Sequence, residues 1–285
     1  WEVFATGSDI TDVVVDGSIL WAASDGGLLR WDRETGNLVQ YLAPDQPLPS
    51  NSLSEIELWE GKLYISGYGG LSVFDRDQTW TRYGAAEIGQ TLSYHAPMAM
   101  VDGVLWVSGE DSLVCLFPDG RWRAAPSDTT HGSGEHVIDL VSRSDSLYVI
   151  YRVGATTMDP VRVARYADGQ WTTVDEPQRQ YYEDSTGALW RYGDDWSKLE
   201  RSLDQGKTWV KIQSGLRFPR VVAETAEGDV IVASDQALLV MRDGEIVERY
   251  DYAAVGPELN YINILEWDDA GRLWIATDGR GLSRY

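Results

Sequence analysis

The chain has 285 residues, with 24 Lys and Arg against 45 Asp and Glu, a formal charge of −21 and a pI near 4.4. Such an acidic protein releases no counterions from a phosphate backbone and is repelled by an anionic membrane surface, which argues against a nucleic-acid partner and against binding to lipid headgroups. No apolar run approaches the ~20 residues of a spanning helix, so no membrane insertion is expected.

Taken in order, the chain opens on Trp1-Glu2-Val3-Phe4, which is too short for a repeat of its own. These four residues match the last strand of later repeats, Trp80-Thr81-Arg82-Tyr83 and Trp171-Thr172-Thr173-Val174. The expectation is that they pair with residues 282–285 as the outer strand of the last blade, closing a ring of sheets and removing its open edge. A start at Trp rather than Met reads as a processed chain whose leader or anchor has gone.

A strand triplet then recurs: Leu20-Trp21-Ala22, Leu63-Tyr64-Ile65, Leu105-Trp106-Val107, Leu147-Tyr148-Val149, Leu189-Trp190-Arg191, Val230-Ile231-Val232 and Leu273-Trp274-Ile275. Its middle residue returns after 43, 42, 42, 42, 41 and 43 positions. A period in the forties, built from short strands, is that of a β-propeller. The expected blades cover residues 11–42, 53–84, 98–125, 137–174, 181–212, 221–250 and 262–285 with 1–4. Asp-Gly or Glu-Gly pairs fall between strands one and two and between strands three and four, where hairpins need positive φ. The whole chain reads as one all-β, seven-bladed, four-stranded propeller domain. The middle aromatics of the triplets should be buried. Cys115 stands alone within the apolar residues 113–117; it permits no internal disulfide and reads as a small buried hydrophobe.

The wording of these strands resembles the two-component regulator propeller repeat, best at residues 269–282 and 20–28. Leu48-Pro49-Ser50-Asn51 matches the entry that often precedes a repeat in that family. Ser202-Leu203-Asp204-Gln205-Gly206-Lys207-Thr208-Trp209 is similar to the Asp-box of sialidase-like propellers, where it stabilises a turn and takes no part in catalysis. The regulator resemblance implies a bacterial, extracytoplasmic sensor domain whose transducing part lies elsewhere.

In a propeller the loops between strands two and three, and those joining blades, share one face. Here the two-to-three loops carry Asp25, Tyr68, Asp111, Arg152, Asp194, Asp235 and Asp278, with Arg280 beside the last. Their carboxylates could attract a cation, an amine or sugar hydroxyls, or could be the ordinary Asp of Asp-Gly turns. Three longer connections, residues 85–96, 127–135 and 153–160, cluster on blades two to four. Tyr94, His95, Arg179, Tyr181 and Trp196 near them offer stacking surfaces and hydrogen bonds. The opposite, hairpin face is expected to offer little besides turn chemistry.

His131 and His136 beside Asp128 and Glu135 make a weak metal set, so no metal and no cofactor is expected. Three His, a strand-borne Cys and no Gly-x-Ser-x-Gly elbow single out no catalytic residue. The expectation is a non-enzymatic, monomeric binding module for a glycan, small molecule or protein. A polysaccharide lyase or glycoside hydrolase acting in the mouth, with acids or His95 in play, is the alternative, and a protein-interaction scaffold is a second.

Overall fold

The computed structural model describes residues 2–4, 9–75, 77–93, 95–128, 135–143, 145–154, 161–174, 182–192, 199–216, 221–225, 227–234, 236–252, 262–268, 271–277 and 281–284. They form an all-β, seven-bladed propeller of four-stranded antiparallel sheets. The strands are β1 (Glu2–Phe4), then β2 (Ile10–Asp16), β3 (Ile19–Ser24), β4 (Gly27–Asp32) and β5 (Leu38–Tyr41) of blade one. Blade two holds β6 (Leu53–Trp59), β7 (Lys62–Gly67), β8 (Gly70–Asp75) and β9 (Trp80–Tyr83). After the short helix α1 (Ala85–Ile88), blade three holds β10 (Met98–Val101), β11 (Val104–Ser108), β12 (Leu113–Leu116) and β13 (Trp122–Ala124). Blade four holds β14 (Glu135–Arg143), β15 (Ser146–Val153), β16 (Val161–Ala167) and β17 (Gln170–Val174). Blade five holds β18 (Tyr182–Glu183), β19 (Leu189–Tyr192), β20 (Leu199–Ser202) and β21 (Val210–Ile212). Blade six holds β22 (Val221–Glu224), β23 (Val230–Ala233), β24 (Ala237–Arg242) and β25 (Glu245–Asp251). Blade seven holds β26 (Ile262–Trp267), β27 (Leu273–Thr277) and β28 (Gly281–Arg284). Every blade begins and ends within a few residues of its sequence-derived bounds. The chain divides into two compact units, residues 18–178 and residues 1–17 with 179–285.

Within residues 18–178 the core lies between blades, and strand alternation explains it. Leu105 and Val107 of β11 point into the cluster shared with blade two. Trp106, one residue out of phase, points into the cluster shared with blade four. A strand buried on both faces reads as a continuous apolar run, which is why the triplet stands out in sequence. Trp106 meets Tyr166 and Trp171 of blade four at ring-centroid distances of 5.1 and 6.4 Å. Trp21 meets Phe74 of blade two at 5.5 Å in the same way.

Glycine is required where blades turn. A Cβ on Gly27 would lie 2.4 Å from the Tyr41 carbonyl oxygen, and one on Gly70 2.3 Å from that of Tyr83. The outer strand approaches the third strand too closely for any side chain there, which accounts for the Gly-Gly-Leu wording. The Asn51 side chain ties the entry to blade two, accepting from the Ala43 amide at 2.7 Å and donating to its carbonyl at 3.2 Å.

In the unit of residues 1–17 and 179–285 the same alternation holds. Val230 and Val232 face blade five, while Ile231 and Ala233 face blade seven. β1 is the outer strand of blade seven, with Glu2, Val3 and Phe4 opposite Arg284, Ser283 and Leu282. Trp1 and Tyr285 lie outside the described residues. Of the triplet aromatics, Trp21, Tyr64, Trp106, Trp190 and Trp274 are buried, and Tyr148 is half-buried.

The first hairpins come in two kinds, which the dipeptides alone did not separate. Glu60-Gly61 and Asp102-Gly103 have positive φ at both residues, the two-residue hairpin turn. Blades five and seven use a longer turn headed by a buried carboxylate. Asp184 Oδ2 accepts from Trp190 Nε1 at 2.8 Å, and Asp268 Oδ2 from Trp274 Nε1 at 2.9 Å. Residues 202–209 fold into another hydrogen-bonded turn, in which Asp204 accepts from the Thr208 amide and hydroxyl at 2.8 and 2.7 Å. The Thr208 and Ser202 hydrogen bonds pull the Asp204 carboxyl down to about 2.

Burial acts the opposite way on Glu266, which faces Trp274 across β26 and β27. Desolvation pushes its carboxyl from 4.5 up to about 7. The folded state therefore favours the neutral acid, so this contribution is full below about 4.5 and lost as the pH rises through about 7. Replacing Glu266 by Gln should leave stability unchanged at pH 4 and raise it by about 2–3 kcal/mol at pH 8, measured by urea unfolding.

Candidate functional site

The site lies within residues 18–178, at the end of blades three and four that carries their two-to-three loops. One wall is built by the connection between β9 and β10. Glu87 accepts from the Gly84 amide at 2.9 Å and starts the single turn of α1, and Gly89, at φ 91°, ends it. Leu92 then bridges to Gly109. The Gln90 carboxamide donates to the Ser112 carbonyl at 3.0 Å and accepts from the Asp111 amide at 3.0 Å. It occupies the space a Cβ on Gly109 would fill, at 2.4 Å. The loop after β11 is thus held by the insertion beside it. Replacing Gln90 by Ala should cost about 1–2 kcal/mol and speed hydrogen exchange at the Asp111 and Ser112 amides, read by mass spectrometry.

The other wall is a charged network. Arg162 on β16 faces Tyr151 on β15, with its guanidinium 4.3 Å from the ring centroid. Its Nε donates to both Glu135 oxygens at 3.0 and 3.1 Å, and its terminal nitrogen donates to Glu135 at 2.8 Å and Asp128 at 3.2 Å. The Arg162, Asp128 and Glu135 side chains are only 16, 6 and 7% exposed. Burial, then Asp128, pushes the Tyr151 phenol up, so Tyr151 stays protonated. Trp171 Nε1 donates to the Pro126 carbonyl at 3.0 Å and fixes the chain entering this wall.

Between the walls lies a cavity of about 340 Å³, bounded by Asp111, Ser112, Ala125, Glu135, His136 and Tyr151 among others. Its described lining includes Glu110, Asp111, Asp128 and Glu135 but no Lys or Arg. Donor-rich ligand groups, hydroxyls or ammonium, suit such an acceptor-rich surface.

Of the residues singled out in the sequence, the structure brings Asp111, Asp128, Glu135 and His136 to this cavity. Asp25 and Tyr68 sit exposed in the equivalent loops of blades one and two, and His95 is exposed on the connection to blade three. None of these three lines the cavity. Arg152 stands opposite His136 on the β14–β15 pair, with a buried Nε that has no hydrogen-bond partner among the described residues. Tyr94, Arg179, Tyr181, Asp194, Trp196, Asp235, Asp278, Arg280 and His131 lie outside the described residues. Sequence reading missed Arg162 and Tyr151. Their signal was a third strand, VRVARYA, that carries two arginines, Arg162 and Arg165, with Arg162 two positions from the buried Ala164.

Among the described residues no three His, Cys, Asp or Glu side chains converge as metal ligands. Cys115 is buried, with its thiol pushed up to about 12 by desolvation. No helix among the described residues is long and apolar enough to cross a membrane. A second cavity, of about 190 Å³, opens at the hairpin end between blades two and three.

No protein-family model matches the chain, and a search of curated proteins returned no relative. Solved structures do match. The extracellular domain assigned to the hybrid two-component system BT3049 of B. thetaiotaomicron aligns with TM-score 0.72 and 15% identity over 97% of this chain. This chain spans only 39% of that protein's length. A catalytically inactive virginiamycin B lyase from Staphylococcus aureus, solved with quinupristin, aligns with TM-score 0.71 and 13% identity, covering 100% of this chain and 97% of that one. YCF48 bound to D1 peptide aligns with TM-score 0.70 and 15% identity, covering 100% and 93%. What these likenesses share with the chain is the fold, a β-propeller also used by an extracellular domain of a two-component system, a lyase and a protein solved with a bound peptide.

Proposed function

We propose that this propeller is a recognition module acting outside the cytoplasm, and that it binds its ligand or partner in the acidic cavity between blades three and four. The cavity itself carries the reading: a site of about 340 Å³, at the loop end, with a wall fixed by the Arg162 network before any ligand arrives. Preorganised polar walls are what a binding site needs, because ordering them is not deducted from affinity. Oligosaccharides, amines and peptide segments bear the donors that its carboxylates and serines accept. A sensor role, with the transducing part in another segment of the protein, follows from the likeness to regulator propellers.

Hydrolysis of a glycoside in this cavity is the weaker reading. It requires one carboxyl to act as acid and another as base or nucleophile; with Asp128 and Glu135 both engaged by Arg162, those roles would fall to the chain neighbours Glu110 and Asp111.

The test is a thermal-shift screen of soluble oligosaccharides, short peptides and amines on the protein and on an Asp111→Ala, His136→Ala double variant. Both positions are exposed, so the unliganded melting temperature should not move. A compound at ~100 times its Kd adds about 2.7 kcal/mol and raises the wild-type melting temperature by several degrees. Equal shifts in the variant, or no shift with any compound, would sink the reading.

A further inference from the structure

The cavity at the hairpin end is separate from that site, at the opposite end of the strands, and its lining is of another kind. It is amphipathic from floor to rim. The floor is apolar and buried, with Leu105, Leu116 and Tyr64 1, 7 and 8% exposed. Trp59, Tyr83 and Phe117 make the walls. The rim carries Glu60, Lys62 and Asp75, with Lys62 Nζ 3.5 Å from Asp75 Oδ2 and side-chain exposures of 48 and 35%. An ion pair so exposed is worth about 0–1 kcal/mol and can exchange partners at little cost.

Those charges choose the ligand. A simple anion would meet two carboxylates, and a simple cation would meet Lys62. A molecule with both charges satisfies all three groups, and aromatic rings add cation–π attraction for its ammonium. Burial, then Tyr83, Glu60 and Asp75, raises the Tyr64 phenol, so it remains a hydrogen-bond donor. A space of about 190 Å³ holds about six waters at ~30 Å³ each, and an apolar side chain gains by displacing those over the floor.

We propose that this cavity binds a small zwitterion of the α-amino-acid class. The ligand carboxylate pairs with Lys62, the ammonium with Glu60 and Asp75 beside the Trp59 and Tyr83 rings, and an apolar side chain packs against Leu105 and Leu116.

The test is calorimetric titration of the 285-residue chain with L-leucine and L-phenylalanine, and with their N-acetyl and C-amide forms. Binding of at least one free amino acid is expected with a Kd of about 1 mM or tighter. Blocking either end should weaken it about tenfold or more. Lys62→Met should weaken the free amino acid to the level of its amide, and Glu60→Gln to the level of its N-acetyl form. Both side chains are exposed, so the variants should melt as the parent does. The proposal is overturned if neither amino acid binds at ~10 mM. It is equally overturned if only one of the two substitutions weakens binding, or if Asp111→Ala abolishes it. That last variant reports on the loop end, so failure here leaves the reading of the loop-end cavity standing.

Discussion

Replacing Trp190 by Ala should unfold blade five at denaturant concentrations the parent survives, at a cost of about 3–5 kcal/mol from lost burial and the void alone. Trp190 is 1% exposed and packs in the cluster of blades five and six. Its indole N–H is also the donor for a carboxylate oxygen of Asp184, itself 5% exposed. Without the indole, that oxygen is left with Arg201 at 3.8 Å among the described residues, which adds about 1–3 kcal/mol. Replacing Trp190 by Phe separates the two terms, keeping most of the volume and removing only the hydrogen bond. Burial would raise the Asp184 carboxyl, but hydrogen bonds from Thr186, Trp190 and the Ala188 amide outweigh it and hold the group below 3.8. Its contribution is therefore present above pH 3.8 and lost on acidification through the lower folded value. The Phe variant should lose part of that acid sensitivity. A urea series at pH 7 and pH 3 reads both effects, and an Ala variant within about 1 kcal/mol of the parent would contradict the packing.

Replacing Arg162 by Ala should be comparably damaging, at about 3–5 kcal/mol, because it takes away the guanidinium that the buried Asp128 and Glu135 both engage. The loss comes from uncompensated buried charge rather than from a bridge of great intrinsic strength. A triple variant, Arg162→Met with Asp128→Asn and Glu135→Gln, is the control: it removes the charges together and should recover most of the stability. It should not recover ligand binding in the acidic cavity, since the wall would then present no carboxylate from either position. Stability that failed to return in the triple variant would show that Arg162 packs against Tyr151 for reasons unrelated to its charge.

The fold was legible in sequence because a propeller is made of local hairpins. Trp21, Tyr64 and Trp106 repeat at a fixed period since each fills the same gap between neighbouring sheets, and the glycines beside them mark outer strands that pass too close for a side chain. The site was legible only as a region. Asp111 could be placed at the right end of its blade by counting strands, but the cavity depends on Gln90, which clasps that loop from the connection before it. It depends equally on Arg162, whose partners Glu135 and Asp128 are 27 and 34 residues away. Period-two alternation says which face of a sheet a residue takes and is silent on which neighbour meets it. The carboxylates heading the turns of blades five and seven had a readable cue, an Asp six positions before the buried Trp, in 184–190 and again in 268–274.

The pairing of β1 with β28 bears on how the protein is made. Six of the sheets join strands that follow one another in the chain, so each can form while synthesis is still under way, at the modest loop-closure cost of short hairpins. Blade seven must wait longer, because Glu2 to Phe4 can pair only once Leu282 to Arg284 have been made. Its outer ladder joins strands from opposite ends of the repeat, so among the seven sheets it is completed last. Until then both strands present bare edges, and a second nascent chain offering the same pair is a competitor for them.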